Sequence, residues 1–456
     1  MSVTVESSEE DLQLATATSY ELAVGADGTA KIHAPTVFGA LYALETLSQL
    51  ITYEPDGDYY KLSRCPVLVR DGPRFKFRGL MVDIARHFVA RPMLERVVDA
   101  MSAAKLNVLH LHISDEESFP MQSSRFGELW QTAFSSTERY ATREMKALVS
   151  YAKDRGVAVL PEFDSPGHSK AMCAGGPTGI CMKNCSVNSN WPLRPLEHTF
   201  EFLAELWGGV ADVFPFAYRH IGGDEVKSQC WDEDETSKTW MRKAGLNSSE
   251  TYVHFVNRNV NISLEQGKLA IAWDDAWKDY GTAMHPRTTW MFWTSNAVNG
   301  ERAMQKAADD GHDVIAASGD PWYLSNSNEY TVRDMYEYDP CDCSNNQNSV
   351  NCVNTTAACA RVLGVEAAFW MDSFDSSQLE NGLWPRAAAV AERGWSSSKL
   401  KWYTNTTQAT QSTATRLGMF RCHLMERGIA AMPVTVEWNH KYGSNRVSEP
   451  GSCMVQ

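Results

Sequence analysis

Tyr218-Arg219-His220-Ile221-Gly222-Gly223-Asp224-Glu225-Val226 decides how this chain folds. It reads as a short strand that runs into two glycines and then two adjacent carboxylates. Gly222 and Gly223 permit backbone dihedrals closed to other residues and let another group come close. A carboxylate pair just past a strand end is where a β/α barrel keeps its chemistry. Taken alone, Gly-Gly-Asp-Glu also describes a solvated turn, so the rest of the chain must decide.

On both sides of this stretch, from Arg78 onward, strands alternate with helices. The spacing of apolar residues predicts strands at Gly79–Ile84, Val108–Ser114, Ala158–Phe163, Tyr218–Gly222, Leu269–Trp273, Thr288–Trp293, Val314–Ala317 and Val362–Phe369. Helices are expected at Pro92–Ala104, Met145–Asp154, Leu196–Val213, Ser249–Gln266, Glu301–Ala308 and Pro385–Arg393. Eight such units over roughly 300 residues have the rhythm of a (β/α)₈ TIM barrel. A doubly wound open sheet is the alternative, and no Gly-rich dinucleotide fingerprint supports it. Residues 1–70 read as a small α/β domain, with a hairpin from Tyr20–Val24 and Ala30–Ala34 followed by a helix from Thr36 to Leu47. Asp71-Gly72-Pro73-Arg74 marks its boundary with the barrel and carboxy-terminal extension of 71–456. Residues 325–360 read as a polar loop stapled by disulfides.

Lys plus Arg is 42 and Asp plus Glu 56, a formal charge of −14, which argues against a nucleic-acid surface. No apolar run is long enough to cross a membrane. Eleven cysteines and five glycosylation sequons, at Asn184, Asn247, Asn261, Asn354 and Asn405, favour an oxidising, secretory setting, lysosomal or secreted. The polar start of the sequence is no signal peptide, so a targeting segment is expected to be missing from it. The odd cysteine count leaves at least one thiol outside the internal pairs.

Every expected strand ends in polar or aromatic residues. Asp83 to Phe88 follow the first, His110 to Glu116 the second and Glu162 to His168 the third. Asp224 and Glu225 follow the fourth and Trp273-Asp274-Asp275 the fifth, and Trp290 and Trp293 lie on the sixth. Asp320 to Tyr323 follow the seventh and Trp370-Met371-Asp372 the eighth. Gathered at one barrel mouth, they make a cup of carboxylates, imidazoles, one Arg and several Trp. Such a cup suits a neutral polyol ring, with indole against the ring face and charged groups on the hydroxyls.

The segment His220 to Val226 resembles the signature of the β-N-acetylhexosaminidases of glycoside hydrolase family 20. Arg78 to Phe88, Asn107 to Asp115 and Pro161 to His168 resemble that family's first three barrel strands, and Leu383 to Ala387 with Ala391-Glu392-Arg393 its last helix. The resemblance spans roughly residues 36–435. It implies an exo-acting, retaining enzyme that needs no cofactor or metal and takes terminal β-linked N-acetylhexosamine from glycans, the substrate's own acetamide acting as nucleophile. It implies Glu225 as acid and base, with a raised pKa, and Asp224 as the group that holds the acetamide N–H. Arg86 would grip sugar hydroxyls, while Asp115 and His168 surround the acid. Trp273, Trp293 and Trp370 would wall the pocket, and Tyr323 would bond the acetamide oxygen. Asp372 falls where many relatives have Glu, and its shorter arm puts its hydroxyl contact in question. Arg194 and the short amino-terminal domain also depart from the family pattern. The resemblance further implies a Cys422–Cys453 bridge, pairing of Cys230 with Cys181 or Cys185, and room for a homodimer.

Two rivals stand beside this reading. His110-Leu111-His112 with His168, His220 and Asp224 could form a zinc hydrolase site on the same barrel. That His-x-His lies within a strand, however, which favours buried, hydrogen-bonded imidazoles. A non-catalytic sugar-binding protein is the other rival, and the presence of Asp224, Glu225 and Tyr323 together speaks against it.

Overall fold

The computed structural model describes residues 1–54, 56–62, 65–187, 190–294, 302–325, 330–344, 351–399, 413–439, 443–446 and 453. A first sheet combines β1 (Ser2–Val5), β2 (Tyr20–Val24), β3 (Ala30–Ala34) and β6 (Val67–Asp71) in the order β1-β3-β2-β6. The hairpin of β2 and β3 is antiparallel, as the alternating pattern requires, and the helix Val37–Leu50 packs on it. A separate hairpin, β4 (Thr52–Glu54) with β5 (Tyr59–Lys61), precedes β6. Trp395, from the barrel's last helix, joins the apolar cluster of this sheet. In the other direction, Leu12 and Leu14 reach the apolar cluster at the base of the barrel.

Eight parallel strands close the barrel in chain order: β7 (Phe77–Asp83), β8 (Val108–Ser114), β9 (Ala158–Phe163), β10 (Tyr218–His220), β11 (Leu269–Trp273), β12 (Thr289–Phe292), β13 (Val314–Ala316) and β14 (Val362–Phe369). The strands are buried on both faces, so each reads as a nearly continuous apolar run. Alternation still sorts their side chains. On β8, Leu109, Leu111 and Ile113 point outward into the layer shared with the helices, whereas Val108, His110 and His112 point into the barrel. The lower interior is apolar, built from Phe77, Val108, Leu160, Ile271, Met291 and Ile315. The upper interior is charged. A small two-stranded unit, β15 (Thr435–Asn439) with β16 (Gly443–Arg446), follows the helix Thr413–Glu426.

Most expected boundaries fall within two or three residues of the observed ones. The fourth strand is shorter than expected, because the chain leaves the sheet at His220 and turns on Gly222 and Gly223, both with positive φ. The helix before the fourth barrel strand, expected to reach Val213, stops at Gly208. The 325–360 insert is more than a loop. It carries the helices Val332–Glu337 and Thr356–Cys359, the first capped by Thr331 and the second by Thr355, and two bridges, Cys341–Cys359 and Cys343–Cys352. Positions 326–329 and 345–350 of that insert, the Glu301 start of one expected helix and the Asn405 sequon lie outside the described residues. Of the other sequons, Asn184 and Asn354 are exposed, Asn247 caps the helix Ser248–Glu265, and Asn261 lies within that helix. Cys173 bridges Cys181, Cys185 bridges Cys230 and Cys422 bridges Cys453, leaving Cys65 as the one free thiol. Among the described residues no helix is long and apolar enough to cross a membrane.

Closure of the barrel between β14 and β7 depends on Gly364. A Cβ there would sit 1.7 Å from the Phe77 carbonyl oxygen, and a backbone atom cannot yield as a side chain can. Gly364→Ala should cost about 3 kcal/mol or more in urea unfolding, and a loss under ~0.5 kcal/mol would show that the seam is not tight.

Candidate active site

The site hangs from a chain of alternating acids and imidazoles inside the barrel. Glu366 on β14 lies 2.9 Å from His110 Nδ1, whose Nε2 is 3.2 Å from Glu162 on β9. Glu162 also meets His112 Nδ1 at 2.5 Å and His220 Nδ1 at 2.8 Å, and accepts a hydrogen bond from Trp273 Nε1 at 2.8 Å. His112 Nε2 continues to Asp115 at 2.8 Å, and Asp115 to His168 Nδ1 at 3.0 Å. His168 Nε2 then faces Asp224 at 3.6 Å and Glu225 at 3.4 Å. Strand periodicity creates this chain, because residues two apart on β8 share the inward face.

Charge follows from these contacts. Burial opposes protonation of His110, but Glu366 and Glu162 outweigh it and push this imidazole up to about 9. His112 is raised in the same way, against burial, by Glu162 and Asp115. Burial also opposes protonation of His168, yet Asp224, Asp115 and Glu225 keep it an imidazolium. Among the imidazoles of this chain of contacts burial wins only at His220, which falls to about 4 despite Glu162. Burial disfavours a charged Asp115, but its hydrogen bonds from His112 and His168 hold it well below the usual carboxylate range.

Arg86 closes one side of the cup. Its Nη2 pairs with Asp115 at 2.6 Å and its Nη1 with Asp83 at 3.2 Å, while Nε faces Asp372 at 3.3 Å and Glu117 at 3.8 Å. The guanidinium carbon lies 5.0 Å from the Trp370 ring centroid. Asp372, short as it is, therefore reaches Arg86, and its side chain is 62% exposed. Trp273 and Trp370 are 6.0 Å apart, Trp370 meets Tyr323 edge-on at 6.1 Å, and Tyr323 stacks on Trp293 at 6.0 Å with only 7° between the rings. Thus Arg86, Asp115, His168, Asp224, Glu225, Trp273, Trp293, Tyr323, Trp370 and Asp372 form one connected rim, made of contacts among the ten residues themselves.

The turn that presents Asp224 and Glu225 is set by Asp164. Gly223 N–H donates to Asp164 Oδ1 at 2.9 Å, and a Cβ on Gly222 would fall 1.7 Å from that same oxygen. Glu225 itself adopts φ +48°, the left-handed region that non-glycine residues seldom enter. Asp224 is buried, and its Oδ1 accepts no hydrogen bond from the described residues. Burial raises Asp224, against the pull of His168. Burial and the Asp224 charge raise its neighbour Asp164 as well.

Glu225 corrects one expectation. Its pKa lies below the usual value, not above it: a hydrogen bond from His168 lowers it, and partial burial opposes without prevailing. The reason is geometric, because the Glu225 side chain is 46% exposed, so burial is only partial, while His168 Nε2 lies 3.4 Å away.

The sequence reading places Glu162, Asp274 and Asp275 only in the general cup of carboxylates and does not single out Glu366 or Asn190. Glu162 and Glu366 sit inside β9 and β14, where an acid in an apolar run signals a buried partner. Asp274 accepts from Trp293 N and Thr294 Oγ1, and Asp275 accepts from Trp293 Nε1 at 2.7 Å. Asn190 donates to Glu225 from a loop distant in sequence. Three trios, His110–Glu162–His220, His112–Glu162–Asp164 and Asp164–His168–Asp224, bring possible metal ligands within 4.8 Å of one another. In the first two, the His110 and His112 nitrogens already face carboxylates, as expected for hydrogen-bonded imidazoles in the barrel.

The Asp274–Asp275 pair makes stability depend on pH. Burial pushes Asp274 up to about 6, and burial with the Asp274 and Asp224 charges pushes Asp275 up to about 7, both from 3.8. A carboxyl that binds its proton more tightly when folded costs nothing below its unfolded value. The cost grows as pH rises and is complete above the folded value. Asp275→Asn keeps the acceptor for Trp293 and removes the charge. Its stability relative to the parent should climb between about pH 4 and pH 7 and gain on the order of 2 kcal/mol by about pH 8. Urea unfolding across that range measures it, and a difference independent of pH would refute the assignment.

Comparisons with known proteins bear on the family and the fold. Residues 75–398 match the family model "Glycosyl hydrolase family 20, catalytic domain", and residues 1–50 match one described as beta-acetyl hexosaminidase like. Beta-hexosaminidase 1 of Arabidopsis thaliana is 32% identical over 100% of this chain and 81% of its own length. The human beta-hexosaminidase subunit beta is 32% identical over 93% of this chain and 73% of its own. The crystal structure of a chitobiase from Flavobacterium johnsoniae superimposes with a TM-score of 0.77 at 28% identity, covering 92% of this chain and 61% of that one. With the catalytic-domain model spanning most of the barrel and relatives near one-third identity along the whole chain, the protein belongs to glycosyl hydrolase family 20.

Proposed function

We propose that this chain is an exo-acting, retaining β-N-acetylhexosaminidase, removing terminal non-reducing β-linked N-acetylglucosamine or N-acetylgalactosamine from glycans without a cofactor. The observation that carries this reading is the side-by-side placement of Asp224 and Glu225 on one wall of an indole-lined cup. An ordinary retaining glycosidase sets acid and nucleophile about 5 Å apart on opposite sides of the scissile bond. Consecutive carboxylates cannot flank a sugar in that way, which leaves the 2-acetamido oxygen of the substrate to attack the anomeric carbon.

Each side chain then has a task. Glu225 gives its proton to the glycosidic oxygen as the C1–O bond breaks, and the acetamide oxygen closes on C1 to form an oxazolinium. Asp224 Oδ1, buried and accepting no protein hydrogen bond among the described residues, receives the acetamide N–H and balances the positive ring. Burial keeps the Tyr323 phenol protonated, so it can donate to the acetamide oxygen. Water, deprotonated by Glu225, opens the oxazolinium from the face the aglycone left, so the configuration is retained. Arg86 and Asp372 meet the sugar hydroxyls, Asp115 and His168 orient the acid, and Trp273, Trp293 and Trp370 enclose the ring. The five disulfides fit a secreted or lysosomal setting.

Aryl β-glycosides with and without the 2-acetamido group test the reading directly. Removing the acetamide should lower kcat/KM by roughly three orders of magnitude or more. Glu225→Gln should lower kcat roughly a hundred- to ten-thousand-fold on poor leaving groups. Equal cleavage of both glycosides, or a trapped glycosyl–enzyme ester, would sink the proposal.

A further inference from the structure

We infer that Asn190 is a positioning residue for the acid–base carboxylate, its side-chain amide holding Glu225 Oε2 and steadying the charge that appears there when the proton leaves. The inference rests on the reading of Glu225 as the acid. Asn190 Nδ2 donates to Glu225 Oε2 at 3.2 Å, the same oxygen that His168 Nε2 approaches at 3.4 Å. Glu225 is half exposed, so packing alone does not fix its carboxylate.

Asn190, in contrast, is buried and held from several sides. Its backbone has φ +56°, a conformation that Asn tolerates better than most side chains. Its N–H donates to Glu116 Oε1, beside Asp115. Upstream, the Cys185–Cys230 bridge ties its loop to the short helix Gln229–Glu233 that follows Glu225. Downstream, Leu193 N–H donates to the Pro166 carbonyl at 2.9 Å, and Leu193 O accepts from Trp231 Nε1 at 2.9 Å. Arg194 forks onto Asp234 at 2.7 and 2.9 Å, which gives the residue that departs from the family pattern a structural task. The chain is thus braced on both sides of the amide that meets Glu225.

A neutral amide donor favours the ionised carboxylate without adding a second cation beside His168. The charged or titratable groups that act on Glu225 are His168, Lys227 and Asp224. Removing the amide should therefore raise the acid's pKa. Because the acid must be protonated to work, the alkaline limb of kcat/KM should move to higher pH.

The test uses the full chain and aryl N-acetylglucosaminides of graded leaving group. In Asn190→Ala the alkaline limb should rise by about half a pH unit, and in the near-isosteric Asn190→Asp by more. The rate loss should be roughly tenfold for poor leaving groups and slight for dinitrophenolate, which departs without a proton. A merely structural role would lower all rates alike and leave the limb in place. Unshifted profiles beside an inactive Glu225→Gln overturn this inference alone. Near-parental turnover by Glu225→Gln overturns the acid reading and this inference with it.

Discussion

The buried Glu162 carboxylate is what allows a parallel barrel to carry charge in its upper interior. An ionised acid there is tolerable only with partners close enough to repay its desolvation. His110, His112, His220 and the Trp273 indole are those partners, all within 3.2 Å. Burial opposes the Glu162 charge, but the three imidazoles hold this carboxyl well below its ordinary range. Through His112 the same carboxylate sets Asp115, and through Asp115 it sets both Arg86 and His168. Through Trp273 it fixes one wall of the cup. The indole-lined cup and the Asp224–Glu225 pair therefore share one anchor, and neither can shift without disturbing the other.

A second constraint lies at the corner after β10. Asp164 and Asp224 are both buried carboxyls: burial raises both, the Asp224 charge raises Asp164 further, and a hydrogen bond with Asp164 lowers Asp224. Two carboxyls in one buried site do not both ionise readily. The arrangement leaves Asp224 Oδ1 without a hydrogen bond from the described residues, while Oδ2 faces His168 Nε2 at 3.6 Å. The corner cannot form with a side chain at position 222, since Asp164 already occupies that space. Gly222 is therefore required by the acid beside it, as well as by its own positive φ.

This division explains what could be read from the chain. The eight strands were legible because parallel strands covered on both faces must be apolar throughout, and the rim residues were legible because they stand at strand ends. Glu366 and Glu162 were harder, since a carboxylate in a strand carries no label for the imidazole it will meet. Asn190 was not legible at all. Its place follows from a bridge between Cys185 and Cys230 whose pairing the sequence left open between two cysteines, and from a loop path that no periodicity encodes. The pKa of Glu225 was misjudged for a related reason. Tryptophans near a residue in sequence patterning do not say which part of its carboxylate they cover.

The low pKa of Glu225 is itself consistent with acid catalysis once the bound sugar is considered. In the open cup its exposed half is solvated, and the His168 imidazolium favours the charged form. A pyranose seated against Trp370 would displace that solvent, and desolvation raises a carboxyl's pKa. The bound acetamide N–H would at the same time draw on Asp224, whose charge is what keeps His168 protonated most strongly. Both changes act in one direction, weakening the grip of His168 on Glu225 and favouring the proton on the carboxyl when the glycosidic oxygen is beside it. On the proposed mechanism, water would re-enter after the aglycone departs, the imidazolium would again stabilise the carboxylate, and the group would be poised as a base. On this account a single residue serves as acid and then base because the ligand alters its surroundings.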